Sequence, residues 1–143
     1  MAPEQLAAAC VRHMLDRDPA SRNLGLEIVS VAPGHVALRM HVTTDMTNGF
    51  DICHGGLLFA LADSTLAFAA NTYDEVAMVS SADVEFLRSA TRGEVLTASA
   101  VERNRGKRNS LYDVTITNAA GETLALVRGR CTRLGRALLP SRQ

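Results

Sequence analysis

The order of the apolar segments predicts an α+β domain in which an antiparallel sheet wraps around a long central helix. Two observations carry this prediction. Residues 55–70 form one long, almost wholly apolar stretch, and segments with strand-like alternation lie on both sides of it, two before and four after. A helix that is apolar on nearly all sides has to be covered on nearly all sides, and a single curved sheet covers only one flank. A partner subunit is therefore expected to cover another.

The individual elements follow from periodicity and from turn residues. Apolar residues recur at helical spacing near the N-terminus, between Pro3 at the helix start and Pro19 beyond its end. Alternating apolar residues on both sides of Pro33-Gly34 predict two strands joined by a tight turn. The predicted elements are a helix at 3–17, strands at 24–31 and 35–43, the central helix at 55–70, and strands at 76–87, 94–103, 110–118 and 123–134.

Length and composition favour one globular domain in a reducing compartment. The 143 residues show no repeat and no linker, so we expect a single domain (1–143) with a core at about 24–134 and a frayed tail at 136–143. The 15 basic and 15 acidic side chains cancel, which argues against a dedicated nucleic-acid binder. Three cysteines without paired spacing predict free thiols. Neither a signal peptide nor a bilayer-spanning stretch is recognised, so a cytoplasmic protein without a membrane partner is expected.

Asp63 is the residue for which the sequence most clearly indicates chemistry. It lies in the middle of the apolar helix, where an unpaired carboxylate either costs free energy or has a raised pKa. One interpretation is structural: a neighbouring hydroxyl or arginine satisfies the carboxylate, or the side chain faces water. The other is catalytic: a carboxylate in an apolar cleft activates water or attacks a carbonyl carbon itself.

His54-Gly55-Gly56 stands at the predicted start of the same helix. The first backbone N–H groups of a helix lack internal partners, the helix dipole is positive there, and glycine lets a substrate carbonyl come close. These residues can therefore form an oxyanion site, although alone they are equally well a flexible helix entry. Gly55 and Asp63 lie roughly 12 Å apart, because a helix rises about 1.5 Å per residue. That is too far for both to act on one carbonyl, so if both are catalytic the enzyme is an obligate dimer with composite sites.

A second charged feature joins two of the predicted strands. The segment 103–108 carries four cations around Gly106; these can bind phosphate groups through charge-assisted contacts, or they form a solvated hairpin tip. Arg128, Arg130 and Arg133, on the last strand, are expected at the surface. The histidines and cysteines lack metal-ligand spacing, and no phosphate-binding loop or dinucleotide motif is present, so no cofactor or metal is expected.

The segment 48–63, in which NG is followed by HGGxxFxLAD on an apolar helix, resembles the hotdog-fold thioesterases of the phenylacetate-degradation (PaaI-like) type. The resemblance runs over about 24–134 and includes Phe86-Leu87-Arg88 and Gly106-Lys107. It implies a hotdog fold that pairs into homodimers, usually homotetramers, and that hydrolyses acyl-coenzyme A thioesters. It also suggests aryl-acetyl substrates, such as phenylacetyl- and hydroxyphenylacetyl-coenzyme A.

The resemblance assigns roles to individual residues as well. The implied catalytic residues are Asp63 as nucleophile or general base, Gly55 as oxyanion donor, and His54 and Asn48, which position the thioester or the attacking water. A serine on the third strand assists in some relatives; Ser80 and Ser81 both stand near that place, and Ser80 is preferred. The residues expected to bind coenzyme A are Gly56, Arg88, Arg105, Gly106, Lys107 and Arg108.

Two other functions stay open at the level of the sequence. A non-catalytic acyl-coenzyme A sensor would keep the fold and the basic turn but tolerate loss of the acid; the presence of Asp63 and the lack of an appended DNA-binding segment disfavour it. Enoyl-thioester hydration, another hotdog chemistry, needs a histidine and an acid within reach of one substrate carbon. The glycines after His54 fit thioester polarisation better.

Overall fold

Three helices and six strands make up the protein, for which the computed structural model describes residues 1–141. The helices are α1 (Pro3–Asp16), α2 (Pro19–Asn23) and α3 (Gly55–Ala70), and a short 3-10 turn spans Thr44–Met46. The strands are β1 (Glu27–Ala32), β2 (His35–His41), β3 (Ala77–Phe86), β4 (Val95–Arg105), β5 (Asn109–Thr117) and β6 (Thr123–Arg133). All pairings are antiparallel, and the strand order β1-β2-β4-β5-β6-β3 puts β1 and β3 at the edges.

The central helix α3 packs across one face of this sheet and contacts strands β2 to β6. Its sheet-facing side chains are apolar and almost fully buried, and each contributes roughly 1.5–3 kcal/mol through burial; they include Leu58, Leu61, Leu66 and Phe68. Gly129, on β6, allows the helix to lie this close, because a Cβ atom there would collide with Leu66. The predicted α+β arrangement of a sheet around a central helix is therefore confirmed.

The other flank of α3 is only partly covered within the chain. The side chains of Phe59, Ala60, Asp63 and Ala67 are half-buried there, and α1 packs against part of the helix. Among residues 1–141, β3 pairs with β6 alone, so its outer edge carries unpaired backbone groups. The partner subunit expected on this side stays a prediction.

The structure corrects the boundaries of two predicted elements. Pro19 lies beyond the end of α1, as predicted, but it also begins a second helix, α2, which the sequence reasoning did not predict; the Asp18 carboxylate caps α2 by accepting the Ser21 N–H at 2.9 Å. Strand β4 continues to Arg105, so only residues 106–108 form the basic turn. Two of the four cations in that segment therefore lie on the strand, not in the turn.

The C-terminal tail, expected to be frayed over 136–143, is held by the chain as far as Leu139. The Leu138 N–H donates to the Asp74 carbonyl at 3.4 Å, and the Leu139 N–H donates to the Asp74 carboxylate at 2.7 Å. Asp74 stands in the loop that follows α3, so these two bonds attach the tail to the end of the central helix. Residues 142 and 143 lie outside the described residues.

The three cysteines, Cys10, Cys53 and Cys131, are free thiols buried in the protein, as predicted. Burial raises the pKa of each thiol, which keeps it protonated at neutral pH. Of the helices within residues 1–141, none has both the length and the hydropathy that crossing a bilayer requires.

Candidate active site

A pocket of about 240 Å³ opens at the N-terminal end of α3. The loop before the helix forms one wall, and the end of β3 with the residues after it forms the other. Three of the predicted site residues line this pocket, namely Asn48, Gly55 and Arg88. The rest of the lining is mainly apolar and consists of Ile52, Cys53, Leu58, Phe86, Leu87 and Ser89. Three separate segments of chain thus bring an amide, a helix N-terminus and a cation together.

Gly55 is the first residue of α3, and its N–H has no acceptor among the described residues. Such an N–H, at the positive end of the helix dipole, is suited to bind an oxygen that gains negative charge. A Cβ atom on Gly55 would lie 3.4 Å from the ring of Phe86. Glycine therefore leaves space between this N–H and the aromatic wall of the pocket.

His54 organises the start of the helix. Its Nδ1 accepts the N–H of Gly56 at 3.3 Å, which caps α3. A ring nitrogen that accepts a hydrogen bond carries no proton, so this geometry assigns the proton of the neutral ring to Nε2. His54 and Gly56 face a neighbouring groove together with Asp45, Met46, Thr47 and Leu57. They therefore hold the helix end that presents Gly55, and they do not line the Gly55 pocket.

Asn48 closes the loop that leads into the helix. Its side-chain oxygen accepts the N–H of Phe50 at 2.9 Å and of Ile52 at 3.5 Å, and its own N–H donates to the Ile52 carbonyl at 2.8 Å. The side-chain Nδ2 has no partner among the described residues. Asn48 thus contributes a free N–H donor to the pocket that contains Gly55.

Asp63 lies in a different pocket, of about 560 Å³, between α3, α1 and the first half of β3. Its apolar walls include Met14, Phe59, Ala67 and Val79. Burial, and then the negative charge of Asp18, raise the pKa of Asp63. The carboxylate forms no hydrogen bond to any other residue in 1–141, so a hydroxyl or arginine of the same chain does not satisfy it. The other structural alternative, a side chain that faces water, stays open, because Asp63 is half-buried in an open pocket.

Ser80 and Ser81 both line the Asp63 pocket, where a bulge interrupts the pairing of β3 with β6. The Ser80 hydroxyl donates to the Arg130 carbonyl at 3.1 Å and accepts from the Thr132 hydroxyl at 3.2 Å. The Ser81 hydroxyl has no hydrogen-bond partner within the described part of the chain. Ser80 is therefore the serine held by β6, and Ser81 is the one with an unengaged hydroxyl.

The predicted coenzyme A residues lie at opposite ends of α3. Arg88 lines the Gly55 pocket and forms an ion pair with Glu122 at 2.5 Å. Arg105 stacks over the ring of Tyr73, 3.8 Å from its centroid, and Tyr73 stands just after the C-terminal end of the helix. Because α3 has 16 residues, the two ends are about 24 Å apart. One chain alone therefore does not assemble these residues into one site.

The turn at 106–108 carries cations that the chain does not neutralise. Arg105, Lys107 and Arg108 have no ion-pair partner within residues 1–141, whereas Arg103 pairs with Asp113 at 2.8 Å. Arg133 was expected at the surface, but its side chain is only 9% exposed. It stands two residues after the buried Cys131 on β6, so the two side chains point to the same face of the sheet. It donates to the Gly106 carbonyl and, at 2.8 Å, to the Ser110 hydroxyl, and so supports the turn.

The two candidate catalytic groups stay separate within one chain. Gly55 and Asp63 are eight positions apart on the same straight helix, roughly 12 Å, and their pockets share no lining residue. Among residues 1–141, no three His, Cys, Asp or Glu side chains are grouped so that they could hold a metal ion. The site thus offers a hydrogen-bond donor in one pocket and a carboxylate in the other.

Two residues next to these pockets were given no role in the sequence analysis. Phe86 covers Gly55, and Asp18 acts on Asp63. The sequence held a signal for Asp18, since an aspartate followed by Pro19 and, three residues on, by Ser21 is typical of a capped helix start. It held none for the position of Phe86, which depends on how β3 lies against the helix.

Comparison with known proteins identifies relatives of this chain. The family model for the thioesterase superfamily matches residues 50–125. Over 122 residues the chain is 40% identical to acyl-coenzyme A thioesterase PaaI of Escherichia coli, covering 85% of this chain and 87% of that protein. It is 30% identical to human acyl-coenzyme A thioesterase 13, covering 76% and 78% of the two chains. The solved structure of the E. coli PaaI protein superposes with a TM-score of 0.93 at 37% identity, covering 95% and 99%.

Proposed function

Because this chain belongs to the thioesterase superfamily, as a thioester hydrolase of the PaaI-like hotdog type, we propose that it hydrolyses acyl-coenzyme A thioesters with Asp63 as the catalytic carboxylate. One observation carries the proposal. Asp63 is half-buried in an apolar pocket, lacks a hydrogen-bond partner in the described chain, and has a raised pKa. A carboxylate in this state is a stronger base and nucleophile than an aspartate in water.

The reaction has two balanced routes. In the first, a carboxylate oxygen of Asp63 bonds to the thioester carbonyl carbon, and the carbonyl electron pair moves onto its oxygen. Collapse breaks the C–S bond, releases the thiolate of coenzyme A and leaves a mixed anhydride. Water then cleaves the anhydride: one water proton stays on the free acid, the other goes to the thiolate, and Asp63 returns as the carboxylate. In the second, Asp63 takes a proton from water as the water oxygen bonds to the carbonyl carbon, and the departing thiolate receives that proton.

Both routes place negative charge on the carbonyl oxygen, and the Gly55 N–H of a partner subunit is the proposed group that stabilises it. The free Nδ2 of Asn48 stands in the same pocket and would help to position the thioester or the water. His54 would act by holding the helix end. The roughly 12 Å between Gly55 and Asp63 on one helix supports a site shared by two subunits. Ser80, or its neighbour Ser81, would assist from the Asp63 side.

The proposed substrate is an aryl-acetyl thioester such as phenylacetyl- or hydroxyphenylacetyl-coenzyme A. The apolar lining of the Gly55 pocket, which includes Phe86, Leu58 and Ile52, favours an apolar acyl group. The basic turn, with Gly106, Lys107 and Arg108, would bind the phosphates of coenzyme A together with Arg105 at the end of β4. Arg88 and Gly56 would contact coenzyme A at the other end of the helix. Since these groups lie at opposite ends of α3, the arrangement again favours a homodimer, and the resemblance favours a homotetramer.

The test is thiol release from a panel of acyl-coenzyme A thioesters that includes phenylacetyl- and hydroxyphenylacetyl-coenzyme A. Asp63→Asn keeps the shape of the side chain and removes its charge, so kcat should fall on the order of 10²–10⁴-fold. Asp83→Asn makes the same change at an exposed position on the outer side of β3 and should leave kcat unchanged.

Analytical ultracentrifugation of both variants shows whether the assembly is intact. A wild-type protein that binds acyl-coenzyme A without releasing thiol would disprove the enzymatic proposal and favour a sensor. Turnover that survives in Asp63→Asn, with the assembly unchanged, would remove Asp63 from the mechanism while leaving the activity in place.

A further inference from the structure

A second carboxylate stands beside the Asp63 pocket, at the junction of α1 and α2. One oxygen of Asp18 accepts the backbone N–H of Ser21 at 2.9 Å, and the other accepts the Ser21 hydroxyl at 2.6 Å. Ser21 is 1% exposed, and both bonds are partly buried. The carboxylate is therefore held in one orientation by the first turn of α2.

The hydrogen bonds continue from Ser21 onto the central helix. The hydroxyl oxygens of Ser21 and Ser64 lie 2.8 Å apart. Because the Ser21 hydroxyl proton is donated to Asp18, the Ser64 hydroxyl has to be the donor in the second bond. Ser64 directly follows Asp63 on α3. An unbroken chain of hydrogen bonds thus joins the Asp18 carboxylate to the turn of the helix that carries Asp63.

We infer that Asp18 is a positioning residue of the Asp63 site: its carboxylate anchors the Ser21–Ser64 hydrogen-bond chain against α3 and places a negative charge beside the Asp63 pocket. The inference rests on the proposed function for its catalytic meaning. It extends the site to the N-terminal helices, which the central motif does not include.

The surroundings of Asp63 support an electrostatic role for Asp18. After burial, the negative charge of Asp18 is the second cause that raises the pKa of Asp63. From β6, Cys131 faces the carboxylate as a neutral thiol, because burial raises its pKa to about 12. From α1, His13 and Arg17 line a groove together with Asp18, and the Arg17 guanidinium donates to the His13 carbonyl at 3.2 Å. From β3, the side chains that line the pocket, Ser80 and Ser81 among them, are all uncharged.

The first experiment compares kcat/KM against pH for the wild type, Asp18→Asn and Asp18→Ser. Asparagine and serine both cap helices, so α2 should persist in each variant while the charge is lost. Without that charge the Asp63 carboxylate ionises more easily, and the acidic limb of the profile should move to lower pH. Asp16→Asn removes an equal charge from an exposed position two residues away and should leave the limb in place. Equal movement in Asp16→Asn, or no movement in either Asp18 variant, would overturn the inference.

Ser64→Ala breaks the hydrogen bond between Ser64 and Ser21 without changing the side chain of Asp18, so it tests the hydrogen-bond chain apart from the charge. The limb should therefore stay where it is, while kcat falls several-fold because the Asp63 turn is less firmly held. Wild-type kcat in Ser64→Ala would overturn the positioning part of the inference.

A measurement without turnover distinguishes this inference from the proposed function. The carboxyl carbon of Asp63 is followed by NMR titration in the assembled protein, with its signal assigned through Asp63→Asn. A lower pKa of Asp63 in Asp18→Asn supports the inference even if no acyl-coenzyme A is hydrolysed, in which case the proposed function alone fails. An unchanged pKa in an active enzyme overturns the inference and leaves the proposed function standing.

Discussion

At the scale of single residues, the site depends on groups that the chain leaves unpartnered. The Asp63 carboxylate and the Gly55 N–H have no hydrogen-bond partner among residues 1–141, whereas the nearby His54 Nδ1 and Ser21 hydroxyl are hydrogen-bonded within the chain. Unpaired polar groups in partly buried positions cost stability, and proteins retain them mainly where they act on a ligand. The position of both groups was predictable, because a lone aspartate and a double glycine stand out in an apolar helix.

The raised pKa of Asp63 predicts a pH-dependent gain of stability in Asp63→Asn. In the folded protein this carboxyl group holds its proton to higher pH than in the unfolded chain, so ionisation above that range costs folding free energy. Asparagine avoids the cost. The melting temperature of Asp63→Asn should therefore exceed that of the wild type at neutral pH, and the difference should shrink as the pH falls towards the ordinary range of aspartate. A variant that melts lower than the wild type at neutral pH would contradict this.

Gly55→Ala tests the oxyanion donor without removing it. The new Cβ would lie 3.4 Å from Phe86, close to ordinary contact, so the fold should persist. The methyl group would, however, fill the approach to the N–H, and kcat should fall on the order of 10²-fold, as for the loss of one oxyanion donor. Gly49→Ala, at an exposed position where the methyl group meets nothing within 4 Å, is the control. Equal kcat in the two variants would count against Gly55.

At the scale of elements, α3 presents different chemistry at its start, middle and end. Its N-terminus faces the pocket with Asn48 and Arg88, its middle carries Asp63, and its C-terminal end lies beside the basic turn at 106–108. The sequence predicted each of these segments. It missed α2, although the Asp18-Pro19 signal was present, and it extended the turn too far, because strand pairing continues to Arg105 through a bulge between Glu102 and Asn104.

The basic turn should contribute to binding rather than to turnover. Lys107→Ala and Arg108→Ala each remove a cation with no ion-pair partner in the described chain. Each variant should raise KM for an acyl-coenzyme A about tenfold if it loses one charge-assisted contact, with kcat retained. The same acyl group on pantetheine, which lacks the nucleotide phosphates, should show no change in KM. Arg12→Ala, at an exposed position on α1, controls for the loss of charge; an equal rise in its KM would speak against a specific site.

At the scale of the whole molecule, the sheet and helix hold the two pockets apart and leave one sheet edge open. The outer edge of β3 is unpaired within the described chain, and the half-buried flank of α3 with Phe59 and Asp63 lies on the same side as the first half of that strand. A second copy that pairs along this edge would cover both features. The composite site is proposed on this geometry and on the distance between Gly55 and Asp63.

Subunit mixing tests the composite site. Gly55→Ala and Asp63→Asn are each expected to be nearly inactive, but a mixed dimer combines an intact Gly55 from one chain with an intact Asp63 from the other. Random pairing after co-refolding in equal amounts makes half of the dimers mixed, each with one intact site of two, so about a quarter of the wild-type activity should return. Activity that stays at the sum of the two variants would place both groups in one subunit's site.

Local periodicity and composition are properties of neighbouring positions, and they were enough to predict the architecture and to single out the candidate catalytic residues. Hydrophobic spacing located all six strands and the central helix, and Asp63 and Gly55 were conspicuous in their own segment. Which polar groups are hydrogen-bonded and which are free became visible in the folded protein. It put Ser80 against Thr132, turned Arg133 inward, set Phe86 over Gly55 and brought Asp18 to Asp63. These contacts join residues far apart in the chain, and they depend on strand register and helix packing, which no single segment specifies.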